Sequence, residues 1–587
     1  MAIHLSKQQQ AVVNCTEPRI IVKACPGSGK TFSVAARMAR LLRENNLSRH
    51  QGIAAISFTN TACEVIKKEL KDTFDCSNIS YPSFIGTIDS FINTYIFLPY
   101  AHLEMKCPCR PEIVGTEFNK WYDYDASKRN YDGTKITDPN YFVDKVSFDL
   151  NGDPIPLVPA KEFNFSWSKM RNANGQYRKD VASIIEAKHI HFAKGKANQA
   201  DANFIAYRIL TQYPSIIEKL VARFPIFIID EAQDTTELQM AIIDLIVQAE
   251  PQSVMLIGDP DQAIFEWNTA NPSLFIAKYN SPHWHSLQLS ENRRSSENIC
   301  QLANRFWGNT MNSIAKDKDY VEHPRLLAHT DTLESIRQIA DEFISKCQEL
   351  RLNESEYAIV YRGQSFGATY FGLANSDNSA GQSSPWVNGY YYVRDIVYGK
   401  YLIDQGKYTE GLAFIEKGCY KQKKQVRYVS ASTIRSAVTE IGFRQHRENI
   451  LKFIQKLPPT NKTLSDWITE VRQAGLNFTI QSNKANISIE SLFRRSDCNL
   501  QQDRPYLRTI HSVKGMTLEA VLIFLKKQSG TKNYATILGK TLEQNDAKDN
   551  EELRIVYVAC TRPKKLLWIA VPSDDLECWN TKLMIEK

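Results

Sequence analysis

Lys23–Thr31 reads KACPGSGKT and follows directly on the apolar run Arg19-Ile20-Ile21-Val22. An apolar strand, a loop with two glycines and a Lys-Thr pair opening a helix is the pattern in which successive backbone N–H groups curl around phosphate oxygens. Gly27 and Gly29 stand where the backbone must turn and approach closely, with Pro26 and Ser28 completing the loop. Lys30 would then bridge terminal phosphates and the Thr31 hydroxyl would bind Mg²⁺. Ala24 replaces the usual first glycine at the strand end, where a small side chain suffices. A glycine-rich turn without a ligand is the competing reading of this motif alone.

A second stretch weighs against that competitor. Phe227–Asp234 reads FIIDEAQD, which puts Asp230 and Glu231 at the end of another apolar strand. Paired acids after a buried strand are costly unless used. The first carboxylate can hold a metal, and the second can orient or deprotonate water. Such a glutamate points to water as the nucleophile, hence to hydrolysis of a nucleoside triphosphate.

A chain of 587 residues with 43% hydrophobic content is long enough for several cores. Seven short apolar runs fall into two groups: RIIVKA, GIAAISF, IFIIDE and SVMLIGD before residue 260, and AIVYR, AVLIFL and LLWIAVP after 355. Each group predicts an α/β core with a parallel sheet. The segments 98–205 and 366–504 interrupt the two groups and predict inserted domains. Ala374–Gly389, rich in Ser, Asn and Gly, predicts a flexible linker. The start MAIHLSKQQQ lacks a basic region followed by an apolar stretch, and no run approaches the roughly 18 apolar residues of a membrane span. Twelve scattered cysteines fit a reducing cytoplasm, and a net charge of +7 permits an anionic partner without requiring one.

The motifs come in a fixed order: LSKQQQ, ACPGSGKT, ISFTNTACEV, GTIDSF, IIDEAQD, LIGDPDQAIFEW, ENRRSS, TIHSVKGMTLEAV and VYVACTRPKK. This series resembles superfamily 1A DNA helicases, the UvrD, Rep and PcrA group, across essentially the whole chain. The resemblance implies an α/β fold of two RecA-like P-loop NTPase domains, each with an inserted, largely helical subdomain. Domain 1A would span 1–97 and 206–280, with 1B at 98–205; 2A would span 281–365 and 505–587, with 2B at 366–504. ATP with Mg²⁺ would lie between 1A and 2A, and Thr31 and Asp230 would be the metal ligands.

By that resemblance Gln9 reads adenine, although Gln8 and Gln10 leave the register open by one. Gln262 would sense the γ-phosphate, and Arg294 and Arg562 would be arginine fingers reaching it from 2A, where planar, permanent charge stabilises the transferring phosphoryl group. Arg293 and Gly515 complete the nucleotide set. Phe58, Thr59 and Asn60 would grip single-stranded DNA, and Phe265 and Trp267 would stack on bases, a sequence-tolerant contact suited to a motor. Core packing is the competing reading for Phe265. Thr87, Arg362, His511 and Lys514 would add backbone or coupling contacts. The implied activity is ATP-dependent translocation on single-stranded DNA or unwinding of tailed double-stranded DNA, with 3′-to-5′ polarity.

Three positions depart from the family pattern. Arg293 stands for a tyrosine that stacks on adenine, Thr517 for a ribose-contacting glutamate, with Glu519 as its substitute or the contact absent, and Asp89 for a histidine. These bear on nucleotide selectivity, not on hydrolysis. Cys107, Cys109, His189 and His191 have an unusual spacing for zinc, and unpaired cysteines and surface histidines are the expectation. Phe163, Phe165 and Trp167 alternate before a basic stretch, which predicts a strand with one apolar face. Only 25 residues follow Arg562, so cleavage would come from a partner. The segment AYRILTQYPSIIEKLVARFPIFIIDEAQD and the short insertions resemble GajB-type subunits of Gabija anti-phage systems, which partner a GajA-like OLD-family nuclease. A housekeeping repair helicase, a sensor of ATP and DNA ends that unwinds little, and a small-molecule kinase are the alternatives.

Overall fold

The computed structural model describes residues 5–584 apart from 45–46, 77–80, 115–138, 159–162, 164–169, 265–270, 309, 372–385, 387–390, 425–430, 482–484, 494–505, 527–533 and 541–543. Phe165, Trp167, Phe265, Trp267 and nearly all of the segment 374–389 fall outside the described residues. The chain forms two compact units. One gathers Met1–Pro99, Ile205–Asn375 and Asp503–Lys587; the other gathers Tyr100–Phe204 and Ser376–Gln502.

Among the described residues the first unit holds two large sheets and a two-stranded pairing of Glu291–Asn292 with Asn312–Ser313, and all of its strand pairs are parallel. The first consists of β1 (Arg19–Ala24), β2 (Ile53–Ser57), β3 (Phe84–Thr87), β4 (Ile226–Ile229), β5 (Ser253–Gly258) and β6 (His285–Leu289), in the order β6-β1-β5-β4-β2-β3. The second consists of β7 (Arg325–His329), β8 (Tyr357–Tyr361), β9 (Leu507–Thr509), β10 (Leu518–Phe524) and β11 (Pro563–Pro572), in the order β7-β11-β10-β8-β9. Parallel strands covered by helices on both faces bury both sets of side chains, which is why the interior strands are nearly continuous apolar runs. In the second sheet, Val521, Ile523, Leu567 and Ile569 enter one core, while Leu522, Phe524, Trp568 and Ala570 enter the other. The seven strands expected from apolar runs are β1, β2, β4, β5, β8, β10 and β11. The four not anticipated, β3, β6, β7 and β9, are the edges of the two sheets.

Helices are set by local signals. Ser6 and Gln9 close a capping box on α1 (Lys7–Asn14), and Gly29 precedes α2 (Lys30–Arg43). Thr59 caps α3 (Asn60–Asp72), Thr236 and Gln239 box α4 (Glu237–Gln248), and Asp546 caps α6 (Ala547–Cys560); α5 is Glu297–Trp307. α1 and α2 are tied by Arg37, which is 1% exposed. Its guanidinium donates to the carbonyls of Val12, Val13 and Cys15 at 2.9, 3.3 and 2.8 Å, and to Ser253 Oγ at 3.3 Å. It thereby satisfies the open carbonyl end of α1.

The second unit is largely helical, with two small two-stranded pairings. Helix Lys179–Ala193 carries Lys188, which is fully buried and ion-paired with the equally buried Asp201. Asp201 also accepts from Ser147 Oγ at 3.0 Å and Asn198 N at 3.1 Å. Burial pulls the Lys188 ammonium down and pushes the Asp201 carboxyl up, so each charge relies on the other. Helices Tyr391–Asp404, Tyr408–Lys424 and Leu464–Gln473 pack around Trp467, Val393 and Ile415. Cys107 Sγ donates to the Cys109 carbonyl, Cys109 Sγ to that of Lys194, and His189 stacks on Phe148. Among the described residues no three His, Cys, Asp or Glu side chains are grouped to hold a metal ion.

Replacing Arg37 by leucine would leave two buried carbonyls and one part-buried carbonyl without a donor, so chemical denaturation should show a loss of about 2–4 kcal/mol. An unchanged denaturation midpoint would remove Arg37 from this role.

Candidate active site

The loop between β1 and α2 has the backbone that its glycines permit. Gly27 and Gly29 have φ of +69° and +79°, in the left-handed region. A Cβ on Gly27 would lie 2.8 Å from Arg294 Cβ, and one on Gly29 would lie 2.8 Å from Gln9 Nε2. Ser28 Oγ donates to the Cys25 carbonyl at 2.8 Å, and Arg293 N to the Gly27 carbonyl at 2.9 Å. Pro26 is buried. Ala24 is the last residue of β1 and 1% exposed, so its small side chain meets the space available. Of the three glutamines, Gln9 reaches the loop, donating to the Ser28 carbonyl at 3.2 Å. Gln8 exchanges hydrogen bonds with Ser290, and Gln10 donates to the Leu5 carbonyl.

Two acids at the end of β4 face this loop. Thr31 Oγ1 donates to Asp230 Oδ2 at 3.2 Å, and Lys30 Nζ lies 3.4 Å from Glu231 Oε2. Glu231 has φ +54°, uncommon for a residue with a side chain. Its carboxylate also accepts from Gln233 Nε2 at 2.6 Å. Burial and the neighbouring Glu231 push the Asp230 carboxyl up; burial would do the same to Glu231, but Lys30, Lys514 and Gln233 hold it below the usual range. Burial alone would lower the Lys30 ammonium, yet Glu231, Asp259 and Asp230 together raise it. Asp259, after β5, is a further acid beside this pair, 1% exposed and pushed up to about 7 by burial. In GDPDQ the sequence marks Gln262 alone, and Asp259 gains its place only from Gln262 and Lys30 beside it in the fold. The oxygens of Thr31 and Asp230, with Glu231 and Asp259 beside Lys30, would suit a hard divalent cation.

Residues of the second sheet complete the surroundings. Arg562 Nη2 donates to Gln262 Oε1 at 3.0 Å, its Nε to the Val558 carbonyl at 2.9 Å and its Nη2 also to Thr561 Oγ1 at 3.1 Å. Gln262 Nε2 donates to Asp259 Oδ2 at 2.7 Å. Arg294 Nη1 donates to the Thr561 carbonyl at 3.1 Å. Burial lowers the two guanidiniums to about 9 for Arg294 and about 10 for Arg562, and both remain protonated at neutral pH. Lys514 Nζ meets Asp234 Oδ2 at 2.7 Å and the Gln262 carbonyl at 3.0 Å. Burial still pushes Asp234 up to about 6. Lys30, Thr31, Asp230, Glu231, Gln262, Arg294, Arg562 and Gln9 thus surround one loop although they come from both sheets.

Residues 5–283 match the UvrD/REP helicase N-terminal domain, and residues 407–574 the UvrD-like helicase C-terminal domain. The chain belongs to the UvrD/Rep helicase family. That makes it an ATP-dependent DNA helicase by class. It is 21% identical over 624 residues to a probable DNA helicase II homolog of Mycoplasma genitalium, covering 96% of this chain and 84% of the relative. It is 21% identical over 629 residues to the putative ATP-dependent DNA helicase YjcD of Bacillus subtilis, covering 98% and 79%. A probable DNA helicase II homolog of Mycoplasma capricolum is 27% identical over 305 residues, 51% of this chain and 40% of that relative.

The helicase places the candidate DNA residues at the carboxyl ends of its strands. Ser57 pairs in register with Thr87, which sets Phe58, Thr59 and Asn60 beside Thr87. Thr59 Oγ1 accepts from Ala62 N at 3.2 Å and Thr87 Oγ1 from Ser90 N at 3.1 Å, so both hydroxyls cap helices. On the second sheet Tyr361 pairs with Thr509, which sets Arg362 near His511. Arg362 Nε donates to Glu552 Oε2 at 2.9 Å. Burial, Arg362 and Lys514 lower the His511 imidazole to about 4, so it is neutral and hydrogen-bonds the Ile264 backbone. Lys514 is turned toward Asp234 at 2.7 Å. Arg293 and Thr517 are exposed, as is Gly515 with φ +84°. Glu519 is held by Lys564 at 2.6 Å and Lys565 at 3.3 Å, which occupies the carboxylate expected to replace the ribose contact. Asp89 accepts from Gln239 Nε2 at 3.0 Å.

Glu231→Gln keeps the side-chain size and its contact with Lys30 but removes the base. ATP binding should stay within a few-fold while turnover falls by roughly 10²–10⁴-fold, read by nucleotide titration beside phosphate release. Normal turnover in this variant would take Glu231 out of the chemistry. Gly27→Ala, strained by its φ and by the approach to Arg294, should lose nucleotide affinity in the same titration.

Proposed function

We propose that the helicase hydrolyses ATP to travel 3′-to-5′ along single-stranded DNA and to separate tailed duplexes. The observation that carries this reading is that Arg294 and Arg562 are both bonded to the end of α6, while Arg294 lies against Gly27 of the phosphate loop and Arg562 faces Lys30 and Gln262 of the other sheet. ATP in that loop would be touched from both sheets, so binding would favour the closed arrangement and hydrolysis would release it. In this reading Lys30 bridges the phosphates, Glu231 orients or deprotonates water, Gln262 senses the γ-phosphate and Gln9 reads adenine. Thr31 and Asp230 would hold Mg²⁺, whose charge neutralises the phosphates. The exposed Arg293 would offer its guanidinium plane to the base.

Residues 1–97 with 206–280 are read as 1A and 281–365 with 505–587 as 2A, with 98–205 and 366–504 as 1B and 2B. Phe58, Thr59, Asn60, Thr87, Arg362 and His511 would line the DNA path, with Phe265 and Trp267 stacking on bases. The setting we propose is cytoplasmic anti-phage defence beside an OLD-family nuclease, supported by the resemblance of Ala206–Asp234 to GajB-type subunits.

Strand displacement on duplexes with 3′ or 5′ tails, measured beside DNA-stimulated phosphate release, tests the motor reading. Separation of the 3′-tailed duplex is expected. Stimulated hydrolysis without displacement of either duplex, or movement along a translocation track, would favour a sensor of ATP and DNA ends.

A further inference from the structure

Arg362 and the arginine pair of the nucleotide site are attached to the same helix. Glu552 lies in the first half of α6 and is 8% exposed. One carboxylate oxygen accepts from Arg362 Nε at 2.9 Å and the other from Tyr534 OH at 2.9 Å. The Arg362 side chain keeps 28% of its surface exposed at the end of β8. Nε is therefore committed inward, and the guanidinium still presents an edge to solvent that can take an oxygen of a phosphodiester. From Glu552 to Val558 is about 9 Å along the axis at about 1.5 Å per residue. Leu553 and Ile555 to Cys560 are all buried in one core, so this length of helix moves as a rod or not at all. At its far end the Val558 carbonyl accepts from Arg562, and Thr561 accepts from both Arg562 and Arg294.

The geometry points to Glu552 as a positioning residue that couples occupancy of Arg362 by a nucleic-acid phosphate to the placement of Arg562 and Arg294. It rests on the reading of Arg362 as a DNA contact. When a phosphate draws on the Arg362 guanidinium, the shift passes to α6 through the Glu552 carboxylate, which ties the end of β8 to that helix. The arginines at the other end move with the helix. Tyr534 holds the same carboxylate from the core side.

The experiment uses the full chain, a single-stranded oligo-dT probe, anisotropy for binding and phosphate release for turnover. Glu552→Gln is expected to keep DNA-free turnover, bind the oligonucleotide within about three-fold of the parent and lose at least ten-fold of the stimulation at saturating DNA. Glu552→Asp, which keeps the charge but is one methylene short of Arg362, should give the same loss and serves if the glutamine variant fails to fold. Tyr534→Phe should retain stimulation. In an Arg362→Gln background, Glu552→Gln should have no further effect on stimulation. Additive losses, or full stimulation in both Glu552 variants, would overturn the coupling role. Unchanged DNA affinity and stimulation in Arg362→Gln itself would instead sink the reading of Arg362 as a DNA contact, a separate failure.

Discussion

Arg562 is bonded to both sheets at once. Its guanidinium is almost fully buried and finds acceptors in the Val558 carbonyl, the Thr561 hydroxyl and, from the other sheet, the side chain of Gln262. A buried cation is tolerated only where such partners are complete, so the position of Arg562 is tied to the relation between the sheets. Gln262 passes the constraint to Asp259, and Lys514 makes a second bridge from the same side to Asp234. A change in separation between the sheets must break several charge-assisted bonds together, which is what a two-state closure needs.

The charge balance of the site follows from the same burial. Asp230, Glu231, Asp234 and Asp259 lie within one buried region that Lys30, Lys514, Arg294 and Arg562 also enter. Each carboxyl is raised by burial, and of the four only Glu231, with Lys30, Lys514 and the Gln233 amide against it, ends below its ordinary value, whereas Asp234 stays raised although Lys514 and Lys30 also face it. The arrangement is suited to an anionic ligand that arrives with its own counter-cation, since either one alone would leave the region unbalanced.

Legibility divides along a physical line. Strands in sheet interiors are buried on both faces and leave unbroken apolar runs such as IFII and SVMLIG, and all seven of these stood out. Edge strands such as HSLQL and RLLAH face solvent on part of their surface, mix polar and apolar residues and resemble loops in one dimension. The loop glycines were legible because positive φ selects the residue type. Asp259 was not, because a single acid after a strand gains meaning only from Lys30 and Gln262 beside it.

By itself the sequence determined the parts that depend on neighbours along the chain: the phosphate loop, the acid pair after β4, the caps on α1 and α4, and two groups of parallel strands. Tertiary structure alone decided which distant groups meet. That Lys514 turns to Asp234, that Glu519 is taken by Lys564 and Lys565, and that Arg362 is anchored to Glu552 are hydrogen bonds and ion pairs between residues up to 280 positions apart. No periodicity or spacing encodes such pairs, because a hydrogen bond is set by a few tenths of an ångström in space and by the burial that makes an unpaired charge costly.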